Sequence, residues 1–438
     1  MAQGLVRELR LGDLVLFNIA AVVSIRWLST AARIGPGAAG LWAGAAALFF
    51  VPLALAVAGL NDIYPEEGGI YVWTGRSFGA WHGFLCGWCY WLSNLFYFPN
   101  LLVAGVGISL FSLGERYAND AILNTGGALG ILWVALGLNV VGLRLGKWVG
   151  NAGAAATCLA GLAVVAAGWV ALGRDGGLAR MNPWPKWNWE TVNYWPQIAF
   201  AFGGLELGAI LSGEIRDPRR TVRRAAWISA GVITAFYIAG TVAILGLVPP
   251  ERINIITGLA QTAEAAAARF GLPWLTPLLA GLVAVGIAGQ FGAWVGGSAR
   301  LAFTIGVDRY LPEAFGRLHA KWHTPHVALL AQGATCTAFV LLMQAGEGLR
   351  AAYQLLVDMT VITYFIPFAY LFAAAWKHGQ RTSAAAGMAV TAAGIAFSFV
   401  PPAEVGTVWS FEAKLAGSCA VLIGTGRYFY VRARRGRR

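Results

Sequence analysis

The sequence predicts an all-α polytopic membrane protein of about twelve transmembrane helices, and two observations carry that prediction. Charged residues make up only 12% of the 438, against the roughly 25% of a soluble domain, while 58% belong to the AVILMFWYC set and mean hydropathy is +0.62. Such a chain cannot cover a water-facing surface of its own size. The second observation is spacing. Apolar runs of the ~20 residues a bilayer needs fall near 12–33, 39–60, 80–112, 127–146, 149–172, 195–214, 225–248, 275–305, 326–344, 351–376, 384–401 and 412–431. The third and eighth are long enough to be tilted. No segment between runs is long enough to fold as a soluble domain.

The net charge of +12 does not point to nucleic acid, because it follows the runs. With a cytoplasmic N-terminus, inside segments collect Arg216, Arg219, Arg220, Arg223 and Arg224 after the sixth run, and Arg432, Arg434, Arg435, Arg437 and Arg438 at the end. The outside loops hold mainly Arg116, Arg174, Arg180, Lys186 and Arg252. That asymmetry sets orientation, so both termini are expected in the cytoplasm of a bacterial inner (plasma) membrane. The longest outside loop, 173–194, carries Trp184, Trp187 and Trp189, which suit a membrane interface.

Cys86 and Cys89 have the spacing of a redox or metal pair but sit in an apolar, aromatic run; Cys158, Cys336 and Cys419 are isolated in other runs. All read as buried thiols. His82, His319, His323, His326 and His378 fall at predicted cytoplasmic ends with no ligand cluster. No metal or cofactor is expected. Arg7, Glu8 and Arg10 lead directly into a full-length run, so no cleavable signal peptide is expected.

Transporters built from inverted repeats place their site at two interrupted helices in corresponding positions of the two halves. Two runs qualify, five apart. The sixth contains Phe200-Ala201-Phe202-Gly203-Gly204-Leu205-Glu206, a glycine pair and a carboxylate in an apolar stretch; the first contains Ser24-Ile25-Arg26-Trp27, with a cation near its middle. The segment Tyr64-Pro65-Glu66-Glu67-Gly68-Gly69 reads as a turn on the outer or re-entrant side, and Asp217-Pro218 as one on the cytoplasmic side.

A mid-span carboxylate costs about 2.5–3.5 kcal/mol, so Glu206 needs a compensating role. It either satisfies backbone amides freed by the glycine break or takes up and releases a proton as a gate. Gly203 and Gly204 either permit an unwound turn that meets substrate or allow close helix packing. Arg26 carries the same cost. It either pairs with Asp358 of Leu355-Leu356-Val357-Asp358-Met359-Thr360 or faces the cavity and binds a substrate carboxylate. In the third run, Tyr90, Trp91, Phe96 and Tyr97 with Asn94 either line a cavity or pack. Phe200, one turn before the break, is placed to close over a substrate.

These residues form a pattern. Phe202-x-Gly204-x-Glu206, then Gly213, Asp217-Pro218-Arg219 and Ala225, resembles the sixth-helix signature of the amino acid–polyamine–organocation (APC) superfamily. Pro65-x-x-Gly68-Gly69-x-Tyr71 resembles its loop between helices 2 and 3, and Arg300 to Asp308, Leu311-Pro312 and Thr324-Pro325 resemble its eighth-helix end and following loop. Leu247-Val248-Pro249, Ile253-Asn254 and Phe399-Val400-Pro401-Pro402 are most similar to the glutamate/γ-aminobutyrate antiporter group.

The resemblance implies a five-plus-five inverted-repeat (LeuT-like) fold, with repeats over 1–172 and 195–376 and two extra helices over 384–438. It also implies alternating access and an amino acid or amine held between unwound helices 1 and 6. By position, Ser24, Ile25, Arg26, Asn94, Phe200, Phe202, Gly203 and Gly204 are the candidate substrate-binding residues. Glu206 and Asp358 are the candidate proton-coupling or gating carboxylates. The family's glycine-serine-glycine of helix 1 is replaced here by Ser24-Ile25-Arg26. Some relatives place a lysine in helix 5 where sodium sits in sodium-coupled cousins, and the fifth run has none after Lys147; the eighth offers no obvious hydroxyl pair beyond Ser298, and sodium coupling is not expected.

The expected function is a proton-linked symporter or exchanger of amino acids or related amines, with small-molecule substrate, protons and lipid as partners. A transporter-like amino-acid sensor and a polyamine-specific permease use the same residues and stay open. A membrane-embedded enzyme would need a catalytic constellation at membrane depth, and none is evident.

Overall fold

The computed structural model describes residues 9–65, 68–118, 120–141, 143–175, 181–210, 215–345, 349–400 and 408–435. The described chain is helical, and its one β-contact is a single bridge between Leu9 and Ile215. The first half contains α1 (Leu11–Val22), α2 (Arg26–Ile34), α3 (Ala38–Ile63), α4 (Gly69–Phe78), α5 (Ala80–Phe111), α6 (Ala121–Val141) and α7 (Leu143–Asp175). Then follow α8 (Trp189–Phe200), α9 (Leu205–Ile210), α10 (Pro218–Leu245), α11 (Gly258–Phe270), α12 (Leu275–Val307), α13 (His326–Ala345), α14 (Leu349–Lys377), α15 (Arg381–Phe397) and α16 (Val408–Arg435).

Some helix lies within each of the twelve apolar runs, among the described residues. Among the described residues, eight helices are long and apolar enough to cross a bilayer, or nine if α1 and α2, bent by 54° at their break, form one span. The remaining runs differ for physical reasons. The sixth is split into α8 and α9. At 17 residues, α15 rises only about 26 Å, just short of a ~30 Å hydrocarbon core. Charges at Glu412, Lys414, Arg427 and Arg432 dilute the apolar character of α16. The third and eighth runs become α5 and α12, of 32 and 33 residues. At about 48–50 Å each they exceed the core and must tilt. They pack on each other, and α14 joins them against α5, the most enclosed of the candidate spans.

Of the helices numbered above, α4 and α11 are short and fall outside the apolar runs, as does the single turn Glu115–Ala118. The first follows a turn at Gly68, whose φ of 109° is the left-handed conformation that glycine tolerates. The fourth run starts earlier than its sequence indicates: Asp120 Oδ1 accepts the amides of Ile122 and Leu123, at 2.9 Å each, and caps α6 ahead of the glycines. Within α3, a π-turn at Ala46–Phe50 precedes Pro52. It leaves consecutive rings buried, with Phe49 against Phe365, Phe368 and Phe372, and Phe50 stacked on Phe202.

One face of the bundle collects the N-terminal segment, which meets Arg216 through the Leu9 carbonyl, and Asp62, which pairs with Arg223. On the same face, Lys377 donates to the Ser77 carbonyl, and the ring of His378 meets Tyr64. The end of α3 and its cap, from Asn61 to Tyr64, therefore lie beside the Arg216–Arg224 segment. This corrects the outer placement, one of the two expected (outer or re-entrant) for the turn that begins there: α3 ends where α10 begins, so the two connections start at one membrane surface. The opposite face holds Arg33 against the Glu251 carbonyl and Arg269 against Asp175.

Candidate functional site

The two interruptions expected from sequence meet in the middle of the bundle. α1 stops at Val22 and the backbone turns extended at Val23, within a stretch of β-branched residues and serine that disfavours helix. α2 then restarts at Arg26. Three carbonyls at this break are taken by side chains of other helices. Trp294 Nε1 donates to Ala21 (2.8 Å), Tyr237 Oη to Val22 (2.8 Å) and Gln290 Nε2 to Val23 (3.2 Å).

α8 ends at Phe200, and Ala201–Gly204 form a turn before α9. Gly204 has φ +119°, and a Cβ there would also lie 3.1 Å from Trp294, 3.2 Å from Val22 and 3.3 Å from the Ala21 carbonyl. Glycine is needed both for the backbone conformation and for the approach of the two breaks. Gly203 faces Tyr364 instead; a Cβ would sit 2.4 Å from its ring. Tyr237 joins the interruptions, since its hydroxyl also lies 3.0 Å from the Ala201 carbonyl and accepts from the Ser24 amide at 3.2 Å.

Glu206, in the first turn of α9, is fully buried. Its Oε2 accepts the Gly204 amide at 3.1 Å, and its Oε1 accepts the hydroxyls of Tyr90 (2.8 Å) and Tyr364 (2.5 Å). The carboxyl thus caps the broken helix, where a negative group is favoured, and ties it to α5 and α14. Every one of these contacts uses it as acceptor, so an ionised carboxylate satisfies all three.

A closed circuit of side chains stands beside this carboxyl. The Arg26 guanidinium lies 4.1 Å from the Trp27 ring centre and 4.8 Å from that of Tyr97. Trp27 meets Phe200 edge-on at 5.6 Å, Phe200 meets Tyr364 at 5.0 Å, Tyr364 meets Trp294 at 6.2 Å, and Trp294 meets Tyr97 at 5.6 Å. Five elements contribute: α2, α5, α8, α12 and α14. All six side chains are buried, so a substrate must part the rings to enter. Tyr364 belongs both to the circuit and to the carboxyl cluster, and so connects Phe200 with Glu206.

The expected residues divide. Arg26, Phe200, Gly203, Gly204 and Glu206 come together at the junction, with Ser24 held through its amide. Ile25 is buried beside them. Asn94 lies on α5 between Tyr90 and Tyr97; its Nδ2 turns back to the Tyr90 carbonyl at 2.7 Å, while its buried Oδ1 has no protein partner among the described residues. Phe202 turns instead to α3, stacked on Phe50 at 4.6 Å and edge-on to Trp42. Asp358 is buried on α14. Ser298 Oγ bonds the Trp294 carbonyl and lies 2.7 Å from the Gln332 amide. Sequence reasoning missed Tyr237, Tyr364, Gln290, Trp294 and Trp27. A tyrosine hydroxyl or glutamine amide inside an apolar run needs a partner at that depth, and that signal was present for Tyr237, Tyr364 and Gln290.

Residues 10–413 match the amino acid permease family. The chain is similar to an uncharacterized transporter of Legionella pneumophila, 28% identical over 85% of this chain and 81% of that protein. It is 22% identical to a glutamate/gamma-aminobutyrate antiporter of Lactococcus lactis, over 82% and 77% of the two chains. A protein of Arabidopsis thaliana named "probable polyamine transporter" is 24% identical over 73% of this chain and 62% of its own length.

Proposed function

The chain belongs to the amino acid permease family of the APC superfamily, and from that premise we propose that it is a secondary active transporter moving an amino acid or related amine by alternating access, with Glu206 as the proton-linked group. The observation that carries this reading is the meeting of two broken helices around one buried carboxyl, bridged by Tyr237 and closed by Phe200 and Tyr364. Interrupted helices are where such proteins bind substrate. In this reading 1–172 and 195–376 are the two repeats, and 384–438 is appended to them. The basic face, with both termini, is cytoplasmic, in a bacterial inner membrane. Proton rather than sodium coupling is favoured in this reading by the hydrogen-bonded carbonyls of Ala21, Val22 and Val23, which leave fewer open oxygens for a cation at the first break.

The mechanism uses the observed contacts. Substrate entry parts Phe200 from Tyr364 and disturbs the hydroxyl that Tyr364 donates to Glu206. A proton on Glu206 replaces what that hydroxyl supplied, so occupancy and protonation are coupled through one ring. Uptake of labelled amino acids into proteoliposomes should rise when the outside is more acidic than the lumen. Glu206→Gln should abolish that stimulation while exchange of labelled for unlabelled substrate persists, because the amide keeps an acceptor oxygen and loses titration. Unchanged stimulation in the variant would return Glu206 to a purely structural cap, and absence of any uptake would reject transport itself.

A further inference from the structure

We propose that the substrate is recognised through a carboxylate read by Arg26, and that amines without a carboxylate are excluded; this rests on the transport reading above and names its substrate class. A site for a bare ammonium needs aromatic faces, open carbonyls or an available anion. Here the aromatic faces hold a cation of the protein, with the Arg26 guanidinium 4.1 Å from Trp27 and 4.8 Å from Tyr97. The carbonyls of Ala21 and Val23 already accept hydrogen bonds from Trp294 and Gln290, and those of Val22 and Ala201 share the single proton of the Tyr237 hydroxyl. Both oxygens of Glu206 are engaged as well.

The electrostatics point the same way. Arg26 is the first residue of α2, so a buried guanidinium coincides with the positive end of a helix. That locus favours an anion. Asp358 is the other buried carboxyl of the described interior besides Glu206, and a guanidinium with five N–H groups serves more than one acceptor, so a substrate carboxylate can bind alongside the partners Arg26 already has. For a substrate amine the described junction offers a neutral group, the Asn94 Oδ1 between Tyr90 and Tyr97. A zwitterion therefore meets a charge at one end and a dipole at the other, and the charge dominates.

The test uses compounds that share one side chain: 2-aminopentanoate, pentanoate and butylamine, with the corresponding sets built on leucine and phenylalanine. Each competes with uptake of a labelled mixture of the twenty amino acids into proteoliposomes of the wild-type protein. The acids should compete about tenfold or more better than the matched amines, the ratio that a single charge-assisted contact of ~1.4 kcal/mol supplies. Arg26→Met should erase the advantage of the acids. Asn94→Ala should leave it intact while narrowing the gap between amino acid and acid. Should Arg26→Met not insert, the wild-type ranking decides alone. Uptake that amines inhibit as well as acids do would overturn carboxylate recognition and leave transport standing. If no member of the mixture is taken up, the transport reading fails, and this inference with it.

Discussion

At the scale of single residues, Gly203 and Gly204 look interchangeable in sequence yet fail differently when changed. Gly204→Ala must hold φ near +119°, which costs on the order of 1–3 kcal/mol, and must also push against Trp294 and Val22. Gly203→Ala has no such backbone strain, but its Cβ would strike the ring of Tyr364 and displace the hydroxyl on Glu206. Both variants should melt earlier than wild type in detergent. Only Gly203→Ala should recover when Tyr364 is shortened to Leu, because only there is the obstacle a side chain. Recovery of Gly204→Ala by the same change would show that its φ is not the limiting factor. The sequence marked this pair as special because two glycines precede a buried acid. It could not say which glycine carries the backbone turn, since that depends on what lies opposite each of them.

Between elements, the decisive contacts are made by side chains remote from the breaks. Tyr237 of α10 touches Val22, Ser24 and Ala201 through one hydroxyl. Tyr237→Phe leaves a buried carbonyl without its donor and the Ser24 amide without its acceptor, at about 1–3 kcal/mol for each unsatisfied group. It should lower the melting temperature and weaken substrate binding together, whereas a change at an exposed tyrosine near the end of α16, Tyr428→Phe, should change neither. Equal effects from the two variants would deny Tyr237 its bridging role. Arg26 of α2 and Asp358 of α14 form the second test. Among the described residues, Arg26, Glu206 and Asp358 are the fully buried side chains of charged type. Arg26→Met or Asp358→Leu alone should destabilise by about 3–5 kcal/mol, since each strands an opposite charge. The double variant should recover much of that loss. Strictly additive losses in a double-mutant cycle would dissociate the two helices' charges.

For the whole molecule, one face gathers Leu9, Asp62, the Arg216–Arg224 segment and Lys377. Positive charge resists transfer across the membrane, so that face should be cytoplasmic. A membrane-impermeant maleimide applied to intact cells should leave Arg220→Cys and Arg434→Cys unlabelled and should label them in inverted vesicles. The native cysteines give low background, since Cys86, Cys89 and Cys336 are buried and Cys158 and Cys419 partly so. Labelling of either position in intact cells would invert the topology. The closed circuit from Arg26 to Tyr364 also predicts that a bound substrate raises the melting temperature: at about 100 times its dissociation constant a ligand stabilises by ~2.7 kcal/mol.

Composition and hydropathy by themselves determined that this chain is helical and crosses the membrane many times, because a bilayer leaves backbone groups almost no other solution. The sequence also located both interruptions, since glycine, serine and charge at mid-span are costly enough to be informative one at a time. Tertiary structure decided what surrounds them. Phe202 and Phe200 are two residues apart and equally apolar, yet one packs on Phe50 of α3 and the other faces Trp27 and Tyr364, a difference fixed by the turn at Ala201–Gly204. The partners of the freed carbonyls come from α10 and α12, some 200 residues and more along the chain. Periodicity within a run says which residues share a face of one helix, but not which helix that face will meet.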